Sequence, residues 1–170
     1  MSAPPLIKDS EERPLSFQTM NRELSSTQFN EGETQETSRH ALRKLNVLVI
    51  DDEPFILEYV RKVLHQTGYA TFIAENGDQG LAMFEERKGE IDLVLTDIVM
   101  PDSIDGLEVA TRIHRIDATV PVLFITGAIP QDDPQMLSLM NGGFLLRKPF
   151  FPDQLIRFVE NQVEHLHLAI

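Results

Sequence analysis

A chain of 170 residues, 42% of them hydrophobic, is long enough for one ordinary domain plus a tail and apolar enough to pack a core. It has no cysteine, which excludes disulfides, thiolate metal sites and thiol nucleophiles, and no apolar run reaches the roughly 18 residues of a membrane span. The formal charge of −12 is uneven: residues 1–44 carry seven acids against six Lys/Arg, and residues 45–170 carry twenty against nine, so the second segment is a poor candidate for gripping nucleic-acid phosphates.

Residues 1–44 are rich in Ser, Thr, Glu, Gln, Asn and Pro, with scattered apolar residues. Such a segment buries too little surface to offset chain entropy, and disorder is expected there, with at most a helical turn from His40 to Leu45. The start, Met-Ser-Ala-Pro-Pro-Leu, lacks the basic residues and apolar stretch of a signal peptide, so the cytoplasm is the default expectation.

From Leu45 the pattern alternates. Leu45–Ile50 is a short β-branched run of the kind found in buried parallel strands. Pro54 suits a first helical turn, and Ile56, Tyr59, Val60, Val63 and Leu64 form an apolar stripe ended by Gly68. Tyr69–Ala74 is a weaker, edge-like strand. Glu75–Asp78 reads as a turn, and Leu81, Ala82 and Phe84 belong to a second helix. Ile91–Thr96 is the third strand and Leu107–Ile116 the third helix, with Ala110 and Ile113 inward. Val120–Ile125 is the fourth strand. Gln135–Met140 is a short helix of low propensity whose Met136 and Met140 suit a core face; mobility is expected around it, since Pro130, Asp132, Asp133 and Pro134 lie just before. Phe144–Arg147 is the fifth strand, and Pro152 to about Leu166 the last helix, with Leu155, Ile156, Val159 and Val163 on one face.

Five βα units imply an α/β fold: a parallel sheet, doubly wound, with helices on both faces and right-handed crossovers. In such sheets ligands bind outside the carboxyl ends of the strands. The chemically suggestive residues fall there: Asp51 and Asp52 after strand one, Asp97 after strand three, Thr126 after strand four and Lys148 after strand five. Any one alone is an ordinary turn former or cap; four such places in order are not. Carboxylates crowded in one crevice repel unless a cation neutralises them, and oxygen-only ligands suit Mg²⁺. A cation, an ammonium and a hydroxyl together suit a transferring phosphoryl group, with Asp97 as carboxylate nucleophile.

The stretches Val47-Leu-Val-Ile-Asp-Asp-Glu-Pro54, Asp92-Leu-Val-Leu-Thr-Asp-Ile-Val-Met-Pro101, Phe124-Ile-Thr-Gly127 and Lys148-Pro-Phe150 resemble, in order, the motifs of the response-regulator receiver family. The similarity covers about 45–168. It implies a flavodoxin-like strand order 2-1-3-4-5. It also implies that Asp97 accepts a phosphoryl group from a histidine kinase or histidine phosphotransfer protein. Asp52 and the Val99 carbonyl would join Asp97 as Mg²⁺ ligands, with Asp51 holding a metal-bound water. Thr126 and Lys148 would contact the phosphate, Gly127 would leave it accessible, and Pro149 would follow a cis peptide.

Two departures stand out. Met100-Pro-Asp-Ser-Ile-Asp-Gly106 is one residue longer than the pattern, an excess a surface loop should absorb. The position three before Lys148, often aromatic in the family, is Leu145, while Phe144 lies one residue earlier. Since strand side chains alternate faces, either a bulge restores the register or the usual Thr–aromatic coupling is missing. The apolar Val99 and Ala128 occupy the positions that tune dephosphorylation in the family, and neither orients an attacking water. The expectation is therefore a stand-alone receiver, 45–170, that turns over no substrate and signals through a downstream protein, without nucleic acid or membrane. Its rivals are a docking module that is never phosphorylated and an Asp-nucleophile phosphatase, for which Asp51-Asp-Glu53 is a poor match.

Overall fold

A computed structural model of the chain describes residues 45–127 and 133–168, with side chains in the last helix as far as Val163. The expectations for residues 1–44 and for Ala128 lie outside the described residues. The elements alternate throughout: β1 (Asn46–Ile50), α1 (Pro54–Gln66), β2 (Ala70–Ala74), α2 (Gly77–Glu86), β3 (Leu93–Asp97), α3 (Gly106–Ile116), β4 (Val122–Thr126), α4 (Pro134–Asn141), β5 (Leu145–Arg147) and α5 (Pro152–Leu168). The five strands form one parallel sheet in the order β2-β1-β3-β4-β5, as expected, and β2 is an edge strand.

The period-two alternation of each strand divides the core in two. Val47, Val49, Leu93, Leu95, Leu123 and Ile125 pack with Leu57, Val60, Val63 and Leu64 of α1 and Leu155, Val159 and Val163 of α5. Leu48, Ile50, Val94, Val122 and Phe124 face the other way, onto α2, α3 and α4 through residues such as Phe84, Ile113 and Leu139. The central strands are therefore buried on both faces, which explains their unbroken apolar runs.

Local chemistry sets the helix ends. Pro54 occupies the first position of α1, and Gly68, at φ 96°, follows the helix end. Asn76, Asp105 and Asp133 cap α2, α3 and α4 by accepting from Gln79 N, Glu108 N and Gln135 N. Asp78 lies inside the first turn of α2 rather than in a turn before it, because Asn76 and not Asp78 supplies the cap. In α1, Leu57 is buried at 3% exposure, while Ile56 and Tyr59 are only half-buried, so the stripe is rotated from its expected centre. In α4, Met136 is buried but Met140 is exposed, a correction to the expectation that both fill a core face.

The long loop between β3 and α3 is not wholly a surface feature. Ile98 and Met100 are buried and Ile104 packs on the core. The excess residue is absorbed with Asp102 in the left-handed region at φ 61°. Ser103 then fastens the loop to α2, its Oγ accepting from Gly77 N at 2.9 Å.

β5 pairs with β4 in unbroken register, Phe124 with Leu145, Ile125 with Leu146 and Thr126 with Arg147. No bulge intervenes among these residues. Leu145 faces the α2–α4 side with Phe124, and Phe144 lies at the strand's entry, where it touches both core clusters.

Candidate functional site

Three strand ends bring the acids and the lysine together. The main chain of Asp51 continues the β1–β2 ladder, its N–H donating to Ala74 O at 3.1 Å. Asp97 is the last residue of β3, pairs with Ile125, and continues the parity of Leu93 and Leu95. Thr126 ends β4 and is fully buried. The N–H of Lys148 donates to Thr126 O at 2.8 Å, and the Lys148–Pro149 peptide is cis. Asp97 and Thr126 thus close their strands rather than following them.

The Lys148 ammonium sits among three carboxylates. It lies 2.6 Å from Asp97 Oδ2, 2.8 Å from Asp51 Oδ2 and 2.9 Å from Glu53 Oε1. The other oxygens of the two aspartates accept backbone donors, Asp51 Oδ1 from Glu53 N at 2.9 Å and Asp97 Oδ1 from Val99 N at 3.1 Å. Asp51 is completely buried and Asp97 nearly so. Burial alone would pull the Lys148 ammonium down, but its close carboxylate partners, Asp51, Asp97 and Glu53, outweigh this and hold it well above the ordinary lysine value, so it stays charged at neutral pH. Burial also pushes the Asp51 carboxyl up, against the lowering effects of Lys148 and the Glu53 amide.

Asp51 Oδ2 remains the exception in this network. The ammonium is close to it, but off the line of a good hydrogen bond, so a fully buried carboxylate oxygen lacks a directed donor. Oxygens of Asp51, Glu53 and Asp97 all lie within 4.8 Å of one another. Three carboxylates and one ammonium leave two formal negative charges, which one divalent cation would balance. An octahedral Mg²⁺ with bonds of about 2.1 Å spans roughly 4.2 Å between opposite ligands. The two buried carboxylates, Asp51 with its orphaned oxygen and Asp97, fit such an ion, while the exposed Glu53 stands at their rim on Lys148.

Of the residues expected from sequence, the structure joins Asp51, Asp97 and Lys148 directly. Thr126 is tied to Lys148 through the backbone, and Val99 to Asp97 through its amide. Asp52 is half-buried and is not among the three carboxylates that converge. A Cβ on Gly127 would meet nothing within 4 Å, so the space beside Thr126 is open. Glu53 is the residue that sequence reasoning passed over. Its place two beyond Asp51, in the same turn into α1, was the available signal.

The raised Asp51 carboxyl has a measurable consequence in metal-free protein. A folded-state pKa above 3.8 means that the folded chain holds a proton that the unfolded chain releases. This contribution to stability is greatest at low pH and is lost as pH rises from about 3.8 through the raised folded value. Replacing Asp51 with Asn removes the slope, so the advantage of the variant over wild type should grow with pH across that window in urea titrations with chelator. A difference that stays constant with pH would refute the assignment.

Comparison with known proteins agrees with the geometry. Residues 47–160 match the family described as response regulator receiver domain. The chain is 33% identical over 113 residues to the transcriptional regulatory protein TrcR of Mycobacterium tuberculosis, covering 66% of this chain but 42% of that protein. It therefore spans well under two thirds of that regulator's length. It is 29% identical over 123 residues to an uncharacterized 14.6 kDa protein of Leptolyngbya boryana, covering 70% of this chain and 90% of that one. Among solved structures, a response regulator receiver domain protein from Clostridium thermocellum superposes with a TM-score of 0.64 at 29% identity, covering 74% of this chain and 99% of that chain. With its strand order, its acid cluster and its lysine already in place, the chain belongs to the response regulator receiver domain family of two-component systems.

Proposed function

We propose that this chain is a phospho-accepting switch whose acceptor is Asp97. The observation that carries the reading is the convergence of Asp97, Asp51 and Lys148 within bonding distance at the carboxyl ends of three strands. An oxygen of Asp97 forms the new P–O bond as the P–N bond of a phosphohistidine donor breaks. The electron pair of that bond returns to the imidazole nitrogen, which takes a proton from solvent. Lys148, charged throughout the neutral range, offsets charge on the incoming phosphoryl oxygens. Thr126 lies at the adjacent strand end, where its hydroxyl is to meet the phosphate, beside the open space at Gly127.

Asp51, Asp97 and the Val99 carbonyl, with Asp52 after a side-chain turn, would hold Mg²⁺, which supplies charge neutralisation to the transferring group. The donor is a histidine kinase or a histidine phosphotransfer protein. Exposed Phe55, Val99 and Phe151 support this, since each lies within three residues of Glu53, Asp97 or Lys148 and they offer apolar contact around the acidic pocket. Output runs through binding of a downstream protein in the cytoplasm, without nucleic acid or membrane. Among the described residues no helix is long and apolar enough to cross a membrane. The test is phosphorylation by acetyl phosphate with Mg²⁺, followed by intact mass.

The phosphorylated state should be long-lived. The Val99 side chain is apolar and exposed beside Asp97, so it cannot hold an attacking water in line. Decay followed by mass in Mg²⁺ buffer should take minutes or longer; a half-life of seconds would refute this.

One observation supports a second reading. The unbroken β4–β5 register puts Leu145, with neither ring nor hydroxyl, on the face shared with Thr126. A docking module independent of phosphorylation would show the same partner affinity before and after treatment with acetyl phosphate.

A further inference from the structure

Glu53 lies within the first motif without a role assigned to it, yet it makes the third contact to the site's lysine. It is the N-cap residue of α1, but its side chain caps nothing. Its carboxylate instead reaches across to Lys148, with Oε1 2.9 Å from Nζ. The ammonium donates to Asp97 and Glu53 and lies 2.8 Å from Asp51 without a directed hydrogen bond. A phosphoryl group on Asp97 brings further anionic oxygens to the same ammonium and competes with Glu53 for it. Asp51 is fully buried and cannot be rehydrated, whereas the Glu53 side chain is 58% exposed and is. Glu53 is therefore the arm that can leave at least cost. Until it leaves, it places a negative charge at the pocket mouth, facing any anionic donor.

We propose that Glu53 is an electrostatic gate: it holds Lys148 in the resting state, opposes small anionic phosphoryl donors, and releases the lysine when Asp97 is phosphorylated. Glu53 is a positioning residue here, acting through Lys148. The inference rests on the phospho-acceptor reading of Asp97 and adds selection among donors. A protein donor that brings its own compensating positive charge would open the gate, whereas acetyl phosphate reacts more slowly against it.

The test compares full-length wild type with the near-isosteric Glu53→Gln. Three quantities are measured: phosphorylation rates with acetyl phosphate and with phosphoramidate, which carries less negative charge; Mg²⁺ affinity by calorimetry; and the Lys148 side-chain resonance by NMR with and without beryllofluoride, an unreactive phosphoryl mimic. The glutamine variant should react about three- to tenfold faster with acetyl phosphate at low salt. The gain should shrink with phosphoramidate and fade as salt is raised. Mg²⁺ affinity should be unchanged within about twofold, and the Lys148 resonance of the free variant should move toward the position it takes in wild type with beryllofluoride. Equal or slower reaction with acetyl phosphate would overturn the gate, as would a loss of Mg²⁺ affinity of about tenfold, which would make Glu53 a metal ligand instead. If wild type gains no phosphoryl mass and binds no beryllofluoride, the acceptor reading fails, and the gate with it. Phosphorylation of both proteins at one rate sinks the gate alone.

Discussion

Substituting Asn for Asp97 should abolish phosphorylation while leaving the fold in place. Wild type incubated with acetyl phosphate and Mg²⁺ should gain one phosphoryl mass, and Asp97→Asn should gain none. The amide nitrogen is no nucleophile under these conditions and the amide oxygen is a poor one, so the effect is complete rather than graded. Stability should change little or rise, within about 1 kcal/mol. The amide oxygen can still accept from Val99 N or Lys148 Nζ, which Asp97 engages at 3.1 and 2.6 Å, and one of three crowded negative charges is gone. A mass gain that persists in the variant would move the acceptor to another carboxylate. No gain in wild type would leave either an acceptor served only by a protein donor or a docking module that keeps the fold, and a Mg²⁺ titration would separate these.

A methyl group at Gly106 should be among the most damaging small changes available. A Cβ there would lie 2.1 Å from the carbonyl oxygen of Asp97, 2.9 Å from its carbonyl carbon and 3.0 Å from Ile98 Cα. All three are backbone atoms, so no rotamer change relieves the clash. Either the first turn of α3 or the end of β3 must move, and Gly106 N also donates to Ile98 O at 3.0 Å. Overpacking of this kind costs about 3 kcal/mol when the neighbour is rigid. The displaced backbone carries Asp97, the proposed acceptor, so phosphorylation should slow as well. Gly127→Ala is the matched control, since its methyl meets nothing within 4 Å and urea unfolding should shift by less than about 0.5 kcal/mol. If the two variants unfold at the same urea concentration, the close approach at Gly106 has been misread.

The two predictions describe one design. Asp97 is held from the front by Lys148 and the Val99 amide, and from behind by a helix start that tolerates no side chain. The loop between carries one left-handed residue and a serine that bonds to α2. The geometry around Asp97 depends as much on the glycine as on the acids.

Much of this was legible in the residues themselves. The alternation of apolar runs with helical stripes determined the class and order of the elements, because a strand buried on both faces must be apolar throughout and a helix covering it needs only one apolar face. The placement of Asp51, Asp97, Thr126 and Lys148 at strand ends followed from that alternation, since parallel strands all present their carboxyl ends to one edge. Other features depended on contacts between segments distant in sequence, which local pattern does not encode. Glu53 joins the site only because its side chain spans 95 positions to Lys148. Asp52, adjacent in sequence to Asp51, lies outside the convergent group because neighbouring side chains leave a strand end in different directions. The exposure of Met140, the burial of Met100 and the fastening of Ser103 to Gly77 depend on which neighbour each loop and helix meets. The sequence posed a choice at β5 between a bulge and a missing ring. Only the pairing of Leu145 with Phe124 decided it, because register is set by the partner strand and not by the strand alone.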